Sequence, residues 1–409
     1  MKMERPYKKV HITPKGEAAL VKGHPWVYAG EVTEVEDGVT DGGLVDVVSR
    51  KGSYLGTAFY NSHSTIRCRL VSRNANDTFD AAFWQRRAAY AWAYRKTVLA
   101  EEDLLCCRVI FGEADFFPGL TVDRFGTVLV AQVLSLGMAL RQDVIFPALV
   151  QVLRQDGQQI DGVYLRNDVA LRDKEGLAQG KGWYPLPGEA APDYETVSIT
   201  ENGIAYTVDF VNGQKTGFFL DQKYNRRAVA RLAKGHTVLD CFTHTGSFAL
   251  HAAKYGAAEV TGVDISEFAC ECARENAALN GFHNVSFVAA NAFDYLKEQC
   301  SAGEQYDVVI LDPPAFTKTR AAVEAAARGY KEINLRGMKL LKDGGYLITC
   351  SCSQHMLPGQ FKDVVLSAAR DAHVSLFQVE YRTQGRDHPI LPAAPETQYL
   401  KCGIFRVDK

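Results

Sequence analysis

The residues Val238-Leu239-Asp240-Cys241-Phe242-Thr243-His244-Thr245-Gly246-Ser247-Phe248-Ala249-Leu250 constrain the fold of this chain more than any other stretch. They read as a short buried strand, a turn punctuated by glycine and the opening of a helix. Apolar residues run into Asp240 at the strand's carboxyl end. Gly246 permits a tight turn and a close backbone approach. Phe248, Leu250 and Ala253 then repeat at helical spacing as far as Gly256. In an open parallel sheet the ligand crevice lies beyond the carboxyl ends of the strands, near the first helix N-terminus. This turn lacks G-x-G-x-x-G, with His244 where a middle glycine would stand, and no Gly-Lys-Ser/Thr follows it. A phosphate is therefore not the expected guest. A compound carrying a ribose and an adenine is.

Glu259-Val260-Thr261-Gly262-Val263-Asp264 is a second strand ending in an acid, 24 residues after Asp240. An acid at roughly 20 residues past the first turn can accept hydrogen bonds from ribose hydroxyls. Two strand-end acids around a glycine turn, without a phosphate cradle, suggest S-adenosylmethionine (SAM). Helix-capping acids in an ordinary βαβ unit give the same pattern, so both readings stay open here.

Asp307-Val308-Val309-Ile310-Leu311-Asp312-Pro313-Pro314-Ala315-Phe316 is a continuous apolar strand ending in Asp-Pro-Pro. Such a run suits a strand buried on both faces. The prolines stiffen the exit and force an extended path. Asp312 is thereby presented at the sheet edge, where a carboxylate can bind the N3/N4 edge of a base. Tyr346-Leu347-Ile348-Thr349-Cys350-Ser351-Cys352-Ser353 is the next strand exit. Cys350 falls inside the strand and reads as core, whereas Cys352 lies at the edge beside the expected place of Asp312. Carbon-5 of a pyrimidine is too weak a nucleophile to take a methyl group unaided. Thiolate attack at C6 makes it enamine-like, so a cysteine there fits C5 chemistry. A buried, inert thiol is the alternative.

A length of 409 residues suggests two or three domains. With 47% hydrophobic and 23% charged residues the composition is that of a globular protein. No apolar run reaches the length of a membrane span, and the N-terminus lacks the apolar core of a secretory signal. Ten cysteines without a C-x-x-C pair fit neither a disulfide scaffold nor a zinc site, so no metal is expected and a reducing cytoplasm is. The net charge of −2 does not advertise nucleic-acid binding, so an RNA partner would need local basic patches. Lys2, Arg5, Lys8, Lys9, Lys15 and Lys22 form one. Arg67, Arg69 and Arg73 alternate along one strand and form another. Lys223, Arg226, Arg227, Arg231 and Lys234 form a third. Solvated surface is the competing reading of each.

Residues 1–74 read as a small β-rich module, with a helix from Pro14 capped by Thr13. Residues 75–192 read as mixed α+β: an aromatic-bearing helix over Phe79–Leu99, strands at 107–111, 119–123, 128–134, 162–166 and 170–172, a helix over 139–154, and a Gly/Pro-rich linker or hairpin over 176–192. From 193 an Asn202-Gly203 hairpin leads into Gly213-Gln214-Lys215-Thr216-Gly217-Phe218-Phe219-Leu220-Asp221-Gln222, which suits a loop closing over a flat ligand. Strands and helices then alternate to the end, the pattern of a doubly wound sheet.

The segments His24-Pro25-Trp26-Val27, Phe117-Pro118-Gly119-Leu120-Thr121-Val122-Asp123, 213–222, 240–246, Asp312-Pro313-Pro314-Ala315-Phe316 and Ser351-Cys352-Ser353 together closely resemble the ribosomal RNA large subunit methyltransferase I family. The resemblance spans nearly the whole chain. It implies an α/β fold: a class I, Rossmann-like, seven-stranded methyltransferase domain at 193–409 with its last strand antiparallel, preceded by a PUA β-barrel at 1–74 and a small α+β connector at 75–192. It implies SAM as cofactor, large-subunit ribosomal RNA as partner, naked or within an assembly particle, and 5-methylcytosine as product. Cys352 is then the nucleophile and Asp312 the base-orienting acid. The implied SAM pocket comprises Phe219, Gln222, Asp240, Phe242, Thr243, Gly246, Asp264, Ile265, Asn291, Ala292, Asp312 and Pro313. Lys9, Lys15, Arg67, Arg69, Lys215 and Arg226 are the candidate RNA contacts. His244 replaces the family's usual Tyr. Asn291 stands where an acid commonly meets the adenine amino group, a task an amide oxygen can also perform. Two other functions share these motifs: N-methylation of guanine or adenine through Asp312-Pro313-Pro314, and a non-catalytic RNA-binding assembly factor. A homodimer is compatible with the sequence but not required by it.

Overall fold

The structure is a computed structural model that describes residues 5–317 and 319–409. The chain folds as two compact units. The first takes residues 1–199, 208–220 and 386–397, and the second takes 200–207, 221–385 and 398–409. A single cut near 193 therefore does not describe the division, because the chain returns twice to the first unit. Phe219 and Lys215 lie in one of those returning segments.

The first unit carries two sheets. Six strands pair in the order Trp26–Tyr28, Ile66–Ser72, Tyr54–Tyr60, Leu44–Val48, Lys8–Ile12, Val32–Val35. Alternate side chains, among them Val10, Ile12, Val45, Val47, Ala58 and Leu70, meet in one core. Thr13 caps the helix Pro14–Val21 through Gly16 N at 3.3 Å. The second sheet orders Lys181–Trp183, Gly162–Arg166, Val128–Val133, Leu120–Phe125, Cys106–Phe111. One expectation fails here: residues 170–175 form a 3-10 turn rather than a strand. The stretch read as a linker or hairpin supplies the edge strand Lys181–Trp183, antiparallel to Gly162–Arg166. The aromatic helix, Ala81–Val98, divides its stripe: Trp84 and Trp92 are buried, while Tyr90 and Tyr94 are exposed.

The hairpin Thr196–Glu201/Ile204–Asp209 turns through Asn202 (φ 51°) and Gly203 (φ 74°), the left-handed pair a two-residue I′ turn demands. Beyond it, in the second unit, strands β1 (Thr237–Cys241), β2 (Glu259–Asp264), β3 (Val285–Ala289), β4 (Tyr306–Leu311), β5 (Leu341–Ser351), β6 (Ser375–Arg382) and β7 (Lys401–Asp408) form a sheet ordered β3-β2-β1-β4-β5-β7-β6. The first five are parallel, and β7 runs antiparallel to both its neighbours. The connecting helices are α1 (Lys223–Ala230), α2 (Ser247–Lys254), α3 (Glu267–Leu279), α4 (Ala292–Ala302), α5 (Val323–Leu340) and α6 (Pro358–Ala372).

Leu239, Val309 and Leu347 stand in register across β1, β4 and β5 and pack with α4, α5 and α6. Val238, Val308 and Ile348 alternate to the other face, and α2 and α3 pack on β1, β2 and β3. Burial on both faces explains why these strands are continuously apolar. The strand order reverses at β1 and β4, so the crevice of the fold opens between their carboxyl ends.

Candidate active site

Asp240, the penultimate residue of β1, is fully buried. Its Oδ2 accepts from Thr243 Oγ1 (2.6 Å) and from Ala249 N (3.0 Å) in the first turns of α2. Its Oδ1 is buried with no hydrogen-bond partner among the described residues. Burial, with the nearby Asp312 and Asp264 carboxylates, pushes this acid up to about 7. The turn that follows is strained. Phe242 (φ 65°), His244 (φ 51°) and Gly246 (φ 82°) all sit in the left-handed region. Thr243 N donates to Val263 O (3.0 Å), and Gly246 N donates to Thr243 O (2.9 Å). A Cβ on Gly246 would stand 2.9 Å from the Phe287 ring and 3.0 Å from Ala273 Cβ. Glycine is thus required both by its φ and by the β3 aromatic packed against it.

Asp264 ends β2 and turns back onto that loop. Its Oδ2 accepts from His244 N (2.9 Å) and its Oδ1 from Ser266 N (3.0 Å). Each oxygen retains a lone pair for a hydroxyl donor. Next to it Ile265 is 73% exposed, an apolar side chain at the rim where a flat ring can rest. Asn291 caps α4 by accepting from Phe293 N through Oδ1 (2.9 Å), so the oxygen expected to meet an adenine amino group already holds a backbone amide. Ala292 is buried behind it.

The β4 exit brings the remaining chemistry together. Asp312 is half-buried, and its Oδ1 accepts from Gln222 Nε2 (3.0 Å). Gln222 Oε1 accepts in turn from Asn225 Nδ2 (2.6 Å). Gln222 is therefore committed at both ends as the group that orients Asp312. Cys352 follows β5 and is half-buried, with Sγ 3.9 Å from Pro313 O. The thiol thus faces the Asp-Pro-Pro exit. Cys350 is fully buried, and Cys402 opposite it together with burial pushes its thiol well up. Tyr330 on α5 bonds both Ser351 Oγ and Ser353 Oγ at 2.9 Å, bracing the thiol segment from below. Sequence reasoning missed this brace, and also the aromatic cluster in which Phe242 packs with Phe293 and Phe316 (6.4 Å between centroids in each case). Aromatic residues 50 or more apart in sequence carry no local signal of meeting.

The expected RNA contacts divide. Lys9, Lys15 and Lys215 are exposed. Lys15, 88% exposed, stands 3.9 Å from Glu31, and Lys215 Nζ lies 4.5 Å over the Phe219 ring. Three arginines are engaged within the protein. Arg226 is buried and paired with Glu201 at 2.5 Å, so it presents no charge to solvent. Arg69 is spent on Glu113 (2.9 Å) and Glu175 (3.0 Å), with Trp26 beneath it. Arg67 bonds the carbonyls of Asn61 and Ser62. Arg73, grouped with these two on one face, likewise donates to Leu20 O and His24 O. Alternation located these side chains but could not show their carboxylate and carbonyl partners.

Two acids at adjoining strand ends, an orphaned buried carboxylate oxygen and a left-handed turn without a phosphate nest suit SAM, whose ribose offers hydroxyl donors and whose methionine end offers an ammonium. A family model described as S-adenosylmethionine-dependent methyltransferase matches residues 183–406, and a PUA-like domain model matches 10–73. Fold, site and match define a SAM-dependent methyltransferase with a PUA-like domain. A "Ribosomal RNA large subunit methyltransferase I" from Shewanella denitrificans is 40% identical over 406 residues, covering 98% of this chain and 99% of its own. One of the same name from Aeromonas salmonicida is 38% identical, with 97% and 98% covered. The chain belongs to the ribosomal RNA large subunit methyltransferase I family. The solved structure of a methyltransferase complexed with SAH shares the fold at a TM-score of 0.81 and 23% identity, covering 97% of this chain and 99% of that one.

Proposed function

We propose that this protein transfers the methyl group of SAM to C5 of a cytosine in large-subunit ribosomal RNA through a covalent bond between Cys352 and C6. The observation that carries this reading is the half-buried Cys352 thiol beside the Pro313 carbonyl, at the strand exit next to Asp312. The sequence likeness to the large-subunit rRNA methyltransferases supports the substrate class. Bacterial rRNA as substrate would put the protein in the cytoplasm.

The chain's own residues divide the work. Asp240, the 242–246 turn, Asp264, Ile265 and the 291–292 turn would hold the cosubstrate, which supplies an electrophilic methyl group when bound. Asp312, kept in place by Gln222, takes the N3/N4 edge of a flipped or unpaired cytosine. It shares the proton that N3 needs as charge moves into the ring. Cys352 adds to C6 and makes C5 nucleophilic. Loss of the C5 proton and departure of the thiolate then restore the aromatic ring. The exposed Lys9, Lys15 and Lys215 supply backbone contacts in this reading, and residues 1–74 act as the RNA-holding module.

Cys352→Ala should lower methyl transfer by at least about 1,000-fold while leaving SAM affinity near normal, as expected when a nucleophile is removed. Nucleoside mass spectrometry of the product RNA checks the outcome. Near-normal 5-methylcytosine from that variant would exclude covalent catalysis. Methylation found on a purine nitrogen would instead favour chemistry at Asp312-Pro313-Pro314 alone.

A further inference from the structure

Lys401 opens β7 directly opposite Ser351, one residue before Cys352. It is 2% exposed. Its Nζ donates three hydrogen bonds: to Ser353 O (2.7 Å), Met356 O (2.9 Å) and Tyr399 O (2.8 Å). An ammonium has three N–H bonds, whereas a neutral amine has two and would aim its lone pair at a carbonyl oxygen. The cage therefore selects the charged form and leaves no lone pair to act as a base. Lys401 pairs with no carboxylate among the described residues. A buried cation without a counter-ion is costly, so its retention needs a reason.

That reason lies in the neighbouring sulfur. Burial pulls the Lys401 ammonium down to about 8, and the charge of a Cys352 thiolate pulls it back up. Such coupling is reciprocal, so the ammonium favours the thiolate to the same degree. Two titratable groups beside the thiol do not supply this charge. Tyr330 on α5 is pushed up by burial and stays neutral. Cys350 is likewise pushed up and neutral. Cys402 lies buried on β7, His355 sits in the turn that Lys401 braces, and the Asp312 carboxylate opposes a second negative charge.

We propose that Lys401 is a positioning residue for Cys352: it pins the 353–356 turn and places its ammonium against the segment that carries the sulfur, where a positive charge favours the thiolate. The proposal rests on Cys352 being the nucleophile and deepens that reading. It gives the buried lysine a role in activating the thiol rather than in binding cosubstrate or RNA.

The test is alkylation of Cys352 by iodoacetamide in the full-length protein across a pH series, resolved by peptide mass spectrometry. Wild-type Cys352 should titrate below the value of about 8.5 of a free cysteine. Lys401→Met keeps the stem and removes the charge. It should raise the midpoint by about one pH unit and slow the reaction at pH 7 by about tenfold. Lys401→Arg should recover most of that shift. A wild-type midpoint at or above about 8.5 overturns the proposal, and this reading needs no variant to fold. A folded Lys401→Met protein with an unchanged midpoint also overturns it, even if all its rates fall, since that would mark a purely structural lysine. Full methyl transfer by Cys352→Ala would remove the nucleophile reading separately, without altering the thiol titration.

Discussion

Asp240 is fully buried near the carboxyl end of β1, and its burial sets its pH behaviour. An acid whose folded value is raised from 3.8 to about 7 favours the folded state only while protonated. Its contribution is complete below the unfolded value and is lost as pH rises through about 7. The loss over that window is up to about 4 kcal/mol. Asp240→Asn removes the titration while keeping the Thr243 contact. The Tm of the variant relative to wild type, both without cosubstrate, should therefore climb between about pH 5 and pH 8. A gap that stays constant would mean that Asp240 ionises freely in the folded protein. The same variant should bind SAM weakly, as read by calorimetry.

At the scale of elements, the β1–α2 connection combines strain with packing. Gly246→Ala must hold an alanine at φ 82° and push its Cβ to 2.9 Å from the Phe287 ring. The cost should be about 1–3 kcal/mol of stability, from left-handed strain and overpacking. Denaturant unfolding measures it, and no loss would show that the turn relaxes freely. The elements themselves were legible where they are long and periodic. The alternation of strand and helix from 237 onward, the Asn202-Gly203 hairpin and the strand-ending acids all follow from local pattern. Asp240, Asp264, Asp312 and Cys352 could be placed at strand ends because each closes or follows an apolar run. Arg226 could not, because its meaning depends on Glu201, 25 residues away and buried with it. Lys401 was missed for the same reason: it opens a strand 48 residues after Ser353, whose carbonyl it bonds. The 170–175 segment misled because its short apolar start matches a strand as well as a 3-10 turn.

For the whole molecule, the near-neutral net charge of −2 means that RNA must be held by a few exposed cations rather than by a broad field. Several arginines that sequence alone offers for this are consumed inside the protein. Lys15, 88% exposed, should behave as a phosphate contact. Lys15→Ala should weaken rRNA binding and reduce the slope of log affinity against log salt by about one. Filter binding over a salt series reads both quantities. An unchanged slope would assign Lys15 to ordinary solvated surface. Among the described residues no helix is long and apolar enough to cross a membrane.

The central claim is that Cys352 bonds to C6 of the target cytosine. Incubation with SAM and an rRNA fragment carrying 5-fluorocytidine tests it most directly, because fluorine at C5 cannot leave as a proton does. The expected result is a denaturation-resistant protein–RNA complex whose linked peptide contains Cys352 and which vanishes in Cys352→Ala. A wild-type enzyme that methylates the unmodified fragment but forms no such complex, or a variant lacking the thiol that still forms it, would contradict the account.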